Sequence, residues 1–112
     1  MPVTSTEIEN YEVHVISEGD GNNFAATVWL YGDGRRTIAF CRFYDEETPM
    51  RENEFRDDLG YPLISYPINA LSPMVDLLRN EDPVYFTWYD YRPTRCFGAV
   101  GTSREPVGEM ED

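Results

Sequence analysis

The sequence predicts an α+β domain: an antiparallel sheet of about five strands, in the order β-β-β-α-β-β, with one short helix packed on one face. Three stretches carry this expectation. In the first, Ser72 suits an N-cap and Pro73 the first helical position, and Leu71, Met74, Val75 and Leu78 follow the i, i+3, i+4, i+7 spacing of one apolar stripe. In the second, Phe24 to Tyr31 and Arg36 to Tyr44 flank Asp33-Gly34, a dipeptide suited to a two-residue type I′ hairpin turn. In the third, Val84, Phe86 and Trp88 alternate with Tyr85, Thr87 and Tyr89, the period of a strand.

Taken in order, residues 1–9 read as a loose polar arm, and Tyr11 to Ser17 as a half-buried strand with Tyr11, Val13 and Val15 on one side. Glu18 to Asn23 forces a turn. Its oxygens resemble the start of a calcium loop, but Asn23 stands where that loop needs glycine and Trp29 where it needs glutamate, so an ordinary loop is expected. For the hairpin, opposing Gly32 to Arg35 pairs Phe24 with Phe43, Ala26 with Cys41, Val28 with Ala39 and Leu30 with Thr37 on an apolar face. The other face then pairs Ala25 with Arg42, Thr27 with Phe40, Trp29 with Ile38 and Tyr31 with Arg36. A slip of one residue would mix these two sets, which is why their separation supports the pairing.

Asp45 to Leu63 is irregular, with Phe55 and Leu59 at helical spacing between Thr48-Pro49 and Gly60, the signature of a second short helix. Tyr61 to Pro67 holds two prolines and is expected to be extended. The main helix then runs from Pro73 to Asn80, with Asp76 early and Arg79 late as its dipole prefers, and Pro83 prevents its continuation. After the aromatic strand, Arg92-Pro93-Thr94 is a break and Cys96 to Val100 the last strand. Residues 102–112 read as a loose acidic tail.

A chain of 112 residues and 13.0 kDa is one domain, 1–112. At that size it buries roughly 65% of its unfolded surface, enough for one core. A net charge of −12 alongside 41% hydrophobic residues describes an acidic but folded protein, and all nine basic residues are arginine. No 20-residue apolar run exists to span a membrane, and the first residues lack the basic and apolar regions of a signal peptide, so a cytoplasmic protein is expected. Cys41 and Cys96 have no CxxC spacing and read as free, packed thiols; no cofactor and no metal are expected.

Leu77-Leu78-Arg79-Asn80-Glu81 with Pro83-Val84-Tyr85, and Glu105-Pro106-Val107-Gly108-Glu109, resemble two short motifs of small bacterial proteins of about this length. The resemblance spans roughly the last third of the chain. It implies a bacterial source, and it implies no activity and assigns no site residue.

Chemistry is sparse. His14 is the only histidine, and one imidazole without partners at ligand spacing reads as structural or solvated. An enzyme would need a pocket uniting His14 with a cysteine or carboxylates. Asp45, Glu46, Glu47, Glu52, Glu54, Asp57 and Asp58 crowd one segment, which reads as a solvated loop able to steer a basic protein partner. The more informative set is aromatic: Trp29, Tyr31, Arg36, Phe40 and Arg42, joined by Tyr85 and Tyr89, has the aromatic-plus-arginine composition of interface cores. One short helix cannot cover both faces of a sheet, so this face is expected either to be covered by residues 45 to 67 or to bind. The expected function is a small non-enzymatic interaction module that dimerises or binds a partner through that face. Single-stranded nucleic-acid binding on the same residues is the first alternative, opposed by the −12 charge, and a small enzyme around His14 is the second.

Overall fold

An apolar strand face must find a second layer, and here that layer is a second sheet. The computed structural model describes residues 3–17 and 24–102. They form an α+β fold of eight strands in two sheets with one short helix: β1 (Val3–Ile8), β2 (Asn10–Val15), β3 (Phe24–Tyr31), β4 (Thr37–Tyr44), β5 (Glu54–Arg56), β6 (Tyr61–Pro67), α1 (Leu71–Asn80), β7 (Val84–Tyr91) and β8 (Arg95–Thr102). The α+β class is as the sequence predicts. The strand count is not: instead of one sheet of about five strands, the order is β2-β3-β4-β6-β5 in the large sheet and β1-β7-β8 in the small one. Every pair is antiparallel except β4 with β6.

The first residues correct the expectation of a loose arm from 1 to 9. Val3–Ile8 pairs along β7, and the chain then passes through Glu9 alone into β2, so one continuous stretch serves both sheets. The Glu9 N–H donates to the Tyr31 carbonyl at 2.8 Å and ties the crossing to the large sheet. Thr4, Thr6 and Ile8 lie opposite Trp88, Phe86 and Val84, the inward residues of β7, which is how a polar-looking stretch earns a place in a sandwich.

The hairpin faces are as expected, but its turn and pairing differ. The loop holds three residues, Asp33–Arg35, closed by the Gly32 N–H donating to the Arg36 carbonyl at 2.7 Å, and Gly34 and Arg35 adopt left-handed φ of 68° and 63°. Beyond a bulge at Ile38, Val28 meets Cys41 and Trp29 meets Phe40, a displacement of two residues from the two-residue-turn pairing. An even displacement leaves each side chain on its own face. Ile38 and Phe24 are the exceptions: a bulge turns Ile38 into the core, and another turns Phe24, expected inward against Phe43, onto the outer face beside Phe40.

Ala26, Val28, Leu30, Ala39, Cys41 and Phe43 form the inner face of the large sheet and are fully buried. Ile64 joins them from β6, and Phe86 and Trp88 meet them from β7. Gly98 lets the sheets approach: a Cβ there would lie 2.5 Å from Ile64 Cδ1 and 2.7 Å from Phe86 Cε1.

Helix α1 contacts β8 and buries Met74 in the shared core, with Leu71 and Leu78 packed against it. At ten residues it spans about 15 Å, too little to cover a five-stranded sheet. A 3-10 turn over Ile68–Ala70 leads directly into it, so the cap residue is Ala70 and not Ser72. Pro73 still falls in the first turn, where its missing N–H has no intrahelical acceptor to lose. The Glu81 N–H closes the other end on the Leu77 carbonyl at 3.0 Å.

The 45–63 stretch forms β5 and a turn at Gly60, where φ is 84°, and not a second helix. The two-proline stretch is β6, inserted between β4 and β5. No helix among the described residues is long and apolar enough to cross a membrane. The Glu18–Asn23 turn, the tail beyond Thr102 and the Glu105–Glu109 motif lie outside the described residues; Thr102 itself belongs to β8.

Candidate functional site

The sandwich separates the seven candidate residues. Trp29 and Tyr31 on β3 and Phe40 on β4 stand on the outer face of the large sheet. Trp29 and Phe40 are direct cross-strand partners, with ring centroids 4.2 Å apart. Phe24 meets Phe40 edge-on at 6.3 Å and Tyr44 at 5.7 Å, and Tyr61 meets Trp29 at 6.2 Å. Together these rings make one contiguous aromatic cluster, in which Trp29 and Phe40 stay half-buried. The Tyr31 hydroxyl donates to Glu12 Oε1, and that bond, reinforced by burial and by the carboxylate's charge, pushes its pKa up to about 12.

Arg42 shares this face but is only 4% exposed, which removes it from any contact role. Its Nη2 donates to Ser65 Oγ at 3.0 Å and to the Glu52 carbonyl at 3.3 Å, while Nε has no partner among the described residues. Burial pulls its pKa down, against the charges of Tyr44 and Glu54, which raise it. The bond to Glu52 also locates the connection between β4 and β5. That segment must cross β6 to reach the far edge, and it crosses on the Arg42 side. Part of the 45–67 stretch therefore lies over the end of the outer face, while β5 and β6 widen the sheet.

Arg36 sits at the hairpin end and lines a cleft between the two sheets. Tyr85 and Tyr89 lie on the outer face of the small sheet, on the far side of the sandwich from Trp29. There Tyr89 stacks on Phe97 at 4.5 Å, Arg95 caps the Phe97 ring at 4.9 Å, and the hydroxyls of Ser5 and Thr87 share a 2.7 Å hydrogen bond. The sequence thus merged two aromatic faces into one. Phe24 and Tyr61, which complete the first, carry no periodic signal: a bulge turns Phe24, and Tyr61 is placed by the parallel pairing of β6 with β4.

The residues weighed for catalysis do not meet. His14 stands exposed on the edge strand β2 opposite Thr27, whereas Cys41 faces inward and is fully buried, and Cys96 belongs to the other sheet. Both cysteines are free. Desolvation pushes the Cys41 thiol up to about 12. The Cys96 thiol donates to Asp90 Oδ1 at 3.5 Å, and burial together with that carboxylate holds its pKa above the ordinary range. No group of three His, Cys, Asp or Glu side chains among the described residues could hold a metal ion. In the acidic segment, Asp45 accepts from the Glu47 N–H at 3.0 Å and Asp58 pairs with Arg56 at 2.7 Å, so both are engaged locally.

No protein-family model matches the chain, and no curated protein or solved structure shows significant similarity to it.

Proposed function

We propose that this chain is a small non-enzymatic interaction module that docks on a protein surface, a second copy of itself first, through the outer aromatic face of the large sheet. The carrying observation is the contiguous ring cluster of Trp29, Phe40, Phe24 and Tyr61, whose centre stays half-buried on the outer face of the large sheet. Aromatic clusters of this kind supply the energetic centre of protein contacts. The acidic 45–58 segment steers a basic partner towards the protein. A cytoplasmic setting fits the two unbridged cysteines.

Single-stranded nucleic-acid binding draws less support. Arg42 is buried under Glu52, Arg36 belongs to the inter-sheet cleft and Arg56 is engaged by Asp58, while Arg35, near Tyr31, shares its pocket with the Glu12 carboxylate, which opposes phosphate.

Size-exclusion chromatography with light scattering tests the proposal. The expected result is twice the chain mass for the wild type and the single-chain mass for Trp29→Glu and Phe40→Glu. A wild type that stays monomeric as its concentration is raised, and captures no basic protein, would refute it.

A further inference from the structure

Among the described residues, a cleft of about 330 Å³ enters between the sheets beside β1, the edge strand of the small sheet away from β8. Its walls are Ile38, Phe55, Phe86 and Trp88, and Thr4 and Thr6 of β1 border it. This volume lies near the lower end of the range typical of small-molecule sites, as does the mix of apolar walls with a few polar groups. Two further features set the cleft apart from a packing gap. Arg36 is the one charged residue that lines it, and the ion pairs among the described residues are Arg56–Asp58 and Arg92–Asp90, so Arg36 has no carboxylate partner there. Trp88, only 7% exposed, carries an indole Nε1–H with no acceptor among the described residues.

We infer that the cleft binds a small amphipathic monocarboxylate, such as a medium-chain fatty acid, with its apolar body against Ile38, Phe86 and Trp88 and its carboxylate on the Arg36 guanidinium. In a chain of net charge −12, a lone cation at an apolar cleft is an unusual placement. It selects an anionic head and an apolar body together. A neutral alcohol of the same length lacks the charge-assisted hydrogen bonds to guanidinium, and a dicarboxylate would place its second charge among the apolar walls. This site is independent of the outer aromatic face and of the proposed docking there.

The test uses Trp29→Phe protein, in which Trp88 is the sole indole, titrated with octanoate and with 1-octanol at constant ionic strength. Calorimetry on the unsubstituted protein runs in parallel as a readout that needs no variant. The expected result is a saturable change in Trp88 emission with octanoate, matched by heat of binding. Arg36→Gln should weaken octanoate at least about tenfold, and 1-octanol should bind no better than octanoate binds to that variant, as loss of a charge-assisted contact requires. The inference is overturned by the absence of saturable binding at low millimolar octanoate, by heat of binding without a change in Trp88 emission, or by equal affinity in Arg36→Gln.

Discussion

The Tyr66 hydroxyl on β6 donates to the Gly98 carbonyl on β8 at 3.0 Å, joining the two sheets. Gly98 lacks room for a Cβ, and the atoms in the way belong to Ile64 and Phe86, both buried in the shared core. Gly98→Ala should therefore cost about 1–3 kcal/mol through overpacking. Gly101→Ala, where nothing lies within 4 Å of the new methyl, should stay within about 0.5 kcal/mol. Urea midpoints of the two variants check this. Equal midpoints would mean that the sheets do not meet at Gly98.

Removing the hydroxyl itself is a milder change. Tyr66→Phe should lose about 1 kcal/mol, the usual net worth of a hydrogen bond, with the ring still stacked on Phe43 at 5.4 Å. Retained near-ultraviolet circular dichroism with a lowered urea midpoint is the expected pair of observations.

Alkaline pH should weaken the fold. Burial raises the Cys41 thiol to about 12, and burial likewise raises Tyr66 above its ordinary value. Above pH ~9 the unfolded chain begins to release these protons while the folded chain retains them, so the folded state binds more protons and stability falls as pH rises. The loss begins near the ordinary thiol pKa and continues through the folded value of about 12. Cys41→Ala should flatten the thiol part of this decline in urea midpoints taken across that range. A decline unchanged by Cys41→Ala would assign it to other groups.

The parts of the fold that the sequence disclosed are those whose pattern is local. Val84–Tyr91 alternates cleanly and is a strand, with Val84, Phe86 and Trp88 buried, and the hairpin faces between the two bulges survive a two-residue displacement because only an odd shift exchanges them. What stayed hidden depends on partners far away in the chain. Thr4 and Thr6 face inward only because β7 pairs with β1. Pro62 and Pro67 disguise β6, and three residues are too few for β5 to show a period. The same limit applies to the site. Strand alternation marks Trp29 and Tyr89 alike as outward, but which sheet each belongs to is decided by the change of sheet at Glu9 and by α1, which carries the chain from β6 to β7.

Arg42 illustrates the consequence for mutagenesis. As a buried guanidinium without a carboxylate, it should tolerate Arg42→Met with a change within about 1 kcal/mol, since an apolar side chain avoids its desolvation cost. Arg42→Glu should instead unfold the crossing of β6, because a buried carboxylate would face the Glu52 carbonyl. Thermal melts separate the two outcomes, and a stable Arg42→Glu protein would mean that the side chain is exposed after all.

The most direct measurement of the docking surface is a dilution series followed by nitrogen–proton correlation spectroscopy, which reports the two indoles separately. Trp29 stands on the outer aromatic face and Trp88 in the inter-sheet core, so the Trp29 indole resonance should move as concentration rises while that of Trp88 holds still. A stationary Trp29 resonance, or movement confined to residues of the small sheet such as Tyr89, would contradict the assignment.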